Sequence, residues 1–296
     1  MKRHIARTSS PAGFALLAGA ILLAGCAAPV DESGPAAGAP EPTTCTKEAL
    51  ASAGALKADG VLTIGTDKPA YAPWFVDDDP SNGKGYESAV GYAIANQLGF
   101  GNDEVRWEVV PFNSVIAPGP KAFDFDLNQV SISDERKQAV DFSSGYYDVQ
   151  QAVITYQGSP IDGKTKISDL AGAKLGAQVG TTSYTAATEQ IRPTQQVAVY
   201  DTNDLAVQAL KNKQVDGIVV DVPTAFYMTA AQLDDGVIVG QLPAAGGEGE
   251  QFGAVLDKGS TLTGCVTQAV DALRADGTLD KLEQQWLATQ GAPELT

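Results

Sequence analysis

The chain has 296 residues, 36 acidic against 20 basic side chains and a formal charge of −16. A surface this acidic is a poor partner for nucleic acid or anionic lipid, and its plainest consequence is solubility. His4 is the only histidine, so beyond residue 4 there is no imidazole for a Ser-His-Asp or Cys-His nucleophile or for histidine-ligated zinc.

The chain opens with Met1-Lys2-Arg3-His4-Ile5-Ala6-Arg7, then an apolar stretch from Phe14 to Ala24, then Gly25-Cys26. A basic start, a short apolar core and a small-residue cleavage site read as a secretory signal. The stretch is shorter than the roughly 20 residues a bilayer span needs. Leu23-Ala24-Gly25-Cys26 resembles the lipobox of bacterial lipoproteins. That resemblance implies cleavage before Cys26, acyl chains on its thiol and amine, and a body held by lipid at the extracytoplasmic face of the cell membrane. More than one acyl chain meets the requirement for stable anchoring. With Cys26 acylated, Cys45 and Cys265 are left in an oxidising compartment. They either pair or remain free thiols, and pairing is the reading taken here.

Residues 27–44 are Ala, Pro, Gly and acid with little to bury, and read as a flexible tether. Lys47 to Ala58 suggests a short helix. Val61–Gly65 reads as a strand, and Ser88–Leu98 as a helix stopped by Gly99. Val105–Val110 and Phe123–Ile132 read as strands, with Ser133 placed to cap a helix. Val149–Tyr156, Lys174–Val179, Val197–Tyr200, Gly217–Asp221 and Phe252–Leu256 continue the strand series, and a helix starts at Gly180-Thr181-Thr182. Leu262–Leu287 holds two helices with a break at Asp276-Gly277. Strands alternating with helical segments argue α/β with a mainly parallel sheet, arranged in two lobes. No phosphate loop or metal cluster stands out, so no cofactor or metal is expected.

Several segments match one family in order over residues 61–287. They are Gly65-Thr66-Asp67 with Tyr71-Ala72-Pro73-Trp74-Phe75, then Gly85-Tyr86-Glu87, Ser131-Ile132-Ser133-Asp134-Glu135-Arg136 and Val140-Asp141-Phe142-Ser143. Further on come Gly145-Tyr146-Tyr147, Asp169-Leu170-Ala171-Gly172, Gly180-Thr181-Thr182, Val215–Asp221, Phe252-Gly253 and Asp276-Gly277-Thr278 before Trp286. The pattern resembles the family 3 extracellular solute-binding proteins of polar amino-acid ABC importers. The resemblance implies a periplasmic-binding-protein fold of type II, with two α/β lobes, two hinge strands and ligand in the cleft between them. It puts lobe one at 46–149 plus 252–292 and lobe two at 152–248, with crossings near Asp148–Gln151 and Gln251–Ala254. The partners implied are a small polar L-amino acid and the membrane subunits of an ABC permease, with the binding protein itself a monomer. Two other functions stay open: a dehydratase-type enzyme on the same fold, and a sensor that hands ligand to a receptor.

A zwitterion brings a carboxylate and an ammonium out of water together, and each charge then needs a partner. Arg136, just past a strand end, suits the carboxylate, because a guanidinium offers two parallel bonds. The family's pattern adds Gln129 and Ser131 from the same segment. The resemblance implies that Gly180 and Thr182 meet the carboxylate from the second lobe at a helix start and that Asp221 pairs with the ammonium; helix capping is the alternative role for Thr182 and for Asp221. By alignment Asp67, Tyr71, Trp74, Phe112 and Gln178 face the ligand side chain; Trp74 and Phe112 either wall that pocket or pack in the core. Asp126 interrupts a buried strand. It is either a specificity carboxylate or a partner for backbone groups near the hinge, and the second is the reading taken.

Overall fold

The computed structural model describes residues 44–244, 249–287 and 291–296, all within one compact unit, Gly38–Thr296. Cys26, the leader and the tether as far as residue 43 lie outside the described residues. The first half runs α1 (Lys47–Ser52), β1 (Leu62–Thr66), α2 (Tyr86–Gln97), β2 (Val105–Val109), α3 (Phe112–Ile116), β3 (Phe125–Asp126) and β4 (Val140–Val149). A second group follows: β5 (Gln151–Tyr156), β6 (Leu175–Gln178), α4 (Thr182–Ala186), β7 (Ala198–Tyr200), α5 (Asn203–Lys211), β8 (Gly217–Asp221), α6 (Val222–Tyr227) and β9 (Gly236–Gln241). The chain then returns through β10 (Glu250–Asp257), α7 (Thr263–Ala275) and α8 (Thr278–Trp286).

Two five-stranded sheets result, ordered β2-β1-β3-β10-β4 and β7-β6-β8-β5-β9. They are the two lobes of a type II periplasmic-binding-protein fold. Each sheet is mixed rather than mainly parallel. Strands β1, β2 and β3 run parallel, as do β6, β7 and β8, but β10, β4, β5 and β9 pair antiparallel. The cause is topological. The strands that carry the chain between lobes enter each sheet from its partner, so they cannot use the helical crossover that a parallel neighbour requires.

Alternating side chains bury both faces of each sheet. Ala254 and Leu256 pack into the larger lobe-one core with Ile64, Phe125 and helices α2, α7 and α8, whereas Val255 faces Val115, Phe123, Val130 and Val140 on the other side. In lobe two Val153 and Val219 face one way, and Ala152, Ile154, Ile218 and Val220 the other. Fully burying one such side chain is worth about 1.5–3 kcal/mol.

Gln150 alone separates β4 from β5, and there the chain passes from the first sheet to the second. The second crossing lies between Gln241 and Glu250, earlier than expected. Residues Gln251–Ala254 are already inside β10, whose Glu250 pairs with Val149. The chain also crosses a third time. Glu294 bridges to Gln241, and Leu295 N and Gln241 N exchange bonds with Gln241 O and Pro293 O at 2.9 Å. Leu295 is buried in a lobe-two core, so the last residues strap the open edge of β9.

Cys45 and Cys265, 220 positions apart in sequence, form a disulfide with Cα atoms 5.2 Å apart. It ties the segment before α1 to α7. Helix α1 is shorter than read, ending at Ser52, and the run Phe123–Ile132 yields only the two-residue β3. Gln129 adopts φ 49° there, a left-handed conformation that no strand tolerates.

Candidate functional site

The carboxyl ends of β1, β6 and β8 converge on a cleft of about 340 Å³ between the lobes. That is the size range of small-molecule pockets, and the end of the sheet where open α/β folds bind ligands. Of the residues read from the sequence, Asp67, Tyr71, Phe112, Gln129, Ser131, Arg136, Gln178, Thr182 and Asp221 line it.

Arg136 is placed by a short 3-10 turn, Arg136–Gln138, whose first N–H donates to Ser133 Oγ at 3.2 Å. Arg136 as a whole is only 9% exposed. Its Nη1 donates to Ser131 O at 2.7 Å, its Nη2 to Gly180 O at 2.8 Å, and it stands 5.5 Å from the centre of the Phe112 ring. Burial lowers its pKa, while the Glu250 and Asp221 carboxylates favour its charge. Its remaining N–H groups are the donors available for an anion in the cleft.

Gly180 carries φ 71°, which a side chain would resist, and this turn aims its carbonyl at Arg136. The next residue, Thr181, caps α4: its Oγ1 accepts from Tyr184 N at 3.1 Å and donates to Gln178 O at 2.7 Å. Capping by Thr181 leaves the Thr182 hydroxyl for the cleft, where it stands 3.2 Å from Ser131 Oγ and 3.3 Å from Gln151 Nε2. The two lobes thus meet hydroxyl to hydroxyl beside the guanidinium.

Asp221 ends β8 and precedes α6, but its side chain makes no capping bond. Its Oδ1 instead accepts from Gln151 Nε2 at 2.7 Å. Burial raises its pKa, and the neighbouring Glu250 raises it further; Gln151 and Arg136 oppose them.

Four contributors escaped the sequence reading. Gln151, the first residue of β5, donates Nε2 to Asp221 and to Glu250 Oε2 at 3.1 Å, and accepts from Ser183 Oγ at 2.6 Å. Glu250, the first residue of β10, accepts a short bond from Ser131 Oγ. Glu87, fully buried in the first turn of α2, accepts from Gln129 N at 2.7 Å and through short bonds from Gln129 Nε2 and Tyr146 Oη. Burial pushes its carboxyl up to about 7 against the pull of those three donors. Asp204, in the first turn of α5, faces the Tyr71 hydroxyl and accepts from Gln232 Nε2 at 3.2 Å. Only Glu87 had a local signal, the Gly85-Tyr86-Glu87 motif.

Trp74 is a correction. It is fully buried in lobe one, edge-on to Tyr86, Tyr147 and Phe252 at 5.3–6.0 Å, with Nε1 donating to Thr224 Oγ1 at 3.4 Å. Tyr71 takes the cleft position, its ring 6.0 Å from that of Tyr227 in lobe two. Phe112 does line the cleft, and its N–H donates to Asp67 Oδ2 at 3.1 Å. Gln129 turns its amide into Glu87. Asp126 follows neither reading: it is fully buried and outside the cleft lining, and both of its carboxylate oxygens lack a hydrogen-bond partner among the described residues.

The model of the bacterial extracellular solute-binding proteins, family 3, matches residues 62–289. The chain is 28% identical to the L-arginine-binding protein of Pseudomonas aeruginosa over 82% of its own length and 96% of that protein's. It is also 28% identical to the L-cystine-binding protein of Escherichia coli, over 78% and 84%. Among solved structures it resembles an ancestral amino acid-binding protein described as a precursor of cyclohexadienyl dehydratase, with TM-score 0.62, 29% identity, and 77% and 95% of the two chains covered. The two-lobed architecture and a family match spanning both lobes lead to one assignment: the chain belongs to the bacterial extracellular solute-binding proteins, family 3.

Proposed function

We propose that this protein captures a polar L-amino acid outside the cytoplasm and delivers it to an ABC permease. The observation that carries the reading is the placement of a guanidinium and a carboxyl group in one cleft, Arg136 from lobe one and Asp221 from lobe two. A guanidinium suits the ligand carboxylate, a carboxylate suits its ammonium, and the hydroxyls of Ser131 and Thr182 supply neutral bonds between them. Ligand that touches both lobes stabilises the closed arrangement over the open one, which is how binding becomes a signal to a membrane partner. Relatives named for arginine and cystine support the ligand class.

Calorimetric titration with the twenty amino acids tests the reading. One or a few tight binders are expected; binding of sugars or peptides with no amino acid bound overturns it. A dehydratase-type activity is the second reading, favoured by the likeness to the ancestral dehydratase precursor. Turnover of a cyclohexadienyl substrate, rather than saturable binding, would establish it.

Lipid anchoring at Cys26 belongs to the same proposal. No helix among the described residues is long and apolar enough to cross a membrane, and the lipobox-like Leu23–Cys26 supports attachment by acyl chains. Cys26→Ser should move the protein from the membrane fraction to the medium. Retention of that variant in the membrane would remove the lipid from the account.

A further inference from the structure

The passage between the lobes carries a carboxyl group that the ligand reading does not use. Glu250, the first residue of β10, lies outside the cleft lining. Its Oε1 accepts the short bond from Ser131 Oγ of lobe one, and its Oε2 accepts from Gln151 Nε2 of lobe two at 3.1 Å. Both donors belong to the machinery of the cleft. Ser131 O accepts from Arg136 Nη1 at 2.7 Å, and Gln151 sits opposite Asp221 in the β5–β8 register. One residue at the pivot therefore holds a hydroxyl of one lobe and an amide of the other.

The same amide nitrogen joins Glu250 to Asp221. Gln151 Nε2 donates to Asp221 Oδ1 at 2.7 Å, so the bonded oxygens of the two carboxyl groups stand within about 6 Å of each other. An amide supplies two protons and no charge; it holds the pair together without neutralising it. Besides Glu250, the charged or titratable groups that face Asp221 are Arg136, Glu87 and the Tyr147 hydroxyl. Arg136 is the single cation among these, and Glu87 is engaged by its own three donors within lobe one. On its other side Glu250 lines a pocket of about 310 Å³ together with Glu189. Two neighbouring carboxylates with one guanidinium between them ionise less readily than one alone. Burial and Glu250 accordingly raise the Asp221 carboxyl, against the pull of Gln151 and Arg136.

We propose that Glu250 is a positioning residue for amino-acid capture: it holds Ser131 and Gln151 in place and keeps Asp221 protonated until a ligand ammonium arrives. The inference rests on the amino-acid reading of the Arg136–Asp221 cleft and adds to it a proton that leaves as the ligand enters. In the empty protein the hydrogen on Asp221 spares the pair its repulsion. A ligand brings its carboxylate to Arg136 and its ammonium to Asp221. The ammonium keeps its protons, Asp221 ionises, and one proton passes to water. A carboxyl group that is protonated in the empty protein and ionised in the complex makes ligand bind more tightly as pH rises.

The test is calorimetric titration of the full chain at pH 7 in phosphate and in Tris, whose different ionisation enthalpies turn released protons into a difference in measured heat. The probe is the tightest binder of the twenty L-amino acids, leaving out histidine and cysteine because their own side chains titrate nearby. Wild type should release about half a proton or more per ligand bound, and Glu250→Gln less than about a third of that. From pH 6 to pH 7 the wild-type affinity should rise at least about threefold, and that of Glu250→Gln less than about twofold. The wild-type release decides the proposal if the variant folds poorly, which circular dichroism reports. No release by wild type, or an equal release from a folded Glu250→Gln that merely binds more weakly, overturns the proposal and leaves the amino-acid reading intact. Failure of all twenty amino acids to bind overturns the amino-acid reading beneath it.

Discussion

Arg136 Nη2 donates to the carbonyl oxygen of Gly180 at 2.8 Å, so the cation of one lobe is bonded to the backbone of the other. The same guanidinium holds Ser131 O and keeps its other donors for ligand. Arg136→Lys retains the charge and loses the planar fork. We expect amino-acid affinity to fall about 100-fold, corresponding to about 2.7 kcal/mol, with far-ultraviolet circular dichroism unchanged. Titration calorimetry checks this, and wild-type affinity in the variant would remove Arg136 from the site.

Two buried carboxyls in lobe one make stability depend on pH. Burial raises Glu87 to about 7 and holds Asp126 well above the usual carboxylate range. A raised folded-state pKa means that the folded chain binds more protons than the unfolded chain, so stability is lost as pH rises. For Glu87 the window runs from about 4.5 to about 7 and is worth on the order of 3 kcal/mol. Thermal melts should therefore show a midpoint falling across this range, with a shallower fall in Glu87→Gln. An identical slope in the variant would exclude Glu87 as the source.

Gly85 carries φ 98°, and a Cβ there would lie 2.4 Å from Trp74 O and 2.7 Å from Phe75 Cα. Both obstacles are in the backbone, so no rotamer change relieves the contact. Gly85→Ala should destabilise by about 2–4 kcal/mol through backbone strain and displacement. Because Tyr86 and Glu87 follow directly, the loop carrying Gln129 and Ser131 should loosen as well. Urea denaturation gives the first effect, and ligand titration the second.

Cys45→Ala together with Cys265→Ala should cost on the order of 3–5 kcal/mol, since the lost cross-link closes a long loop of the unfolded chain. The chemical denaturation midpoint should fall, and dithiothreitol should lower the wild-type midpoint in the same direction. A midpoint indifferent to both would show that the bond is absent in solution.

Most of the framework was legible because it is local. Apolar runs bounded by turn residues locate β1, β5, β6, β8 and β10 to within a few residues, and Asp276-Gly277 marks the break between α7 and α8. What escaped depends on distance or on turn geometry. Strand β4 alternates weakly, with Asp141, Ser143 and Ser144 among its apolar residues, and its place is fixed by pairing to β10 more than a hundred residues later. Glu250 meets Ser131 across 119 positions, and no periodicity reports such a contact. The alignment points both Tyr71 and Trp74 at the pocket, and only Tyr71 lines it, because the path of residues 68–75 buries Trp74 in the lobe-one core. Composition does not specify which aromatic such a loop turns inward.

The strand order of the first sheet also has a consequence for the chain as it emerges during synthesis. β4 has β10 as its sole neighbour and β3 is flanked by β1 and β10, so lobe one stays incomplete until residues 250–257 are available. The strands of the second sheet run without interruption from Gln151 to Gln241. Lobe two can therefore form its five-stranded sheet, though not yet the C-terminal strap on β9, while lobe one still exposes half of its own, and a chain held at that stage presents an open edge to any holding factor.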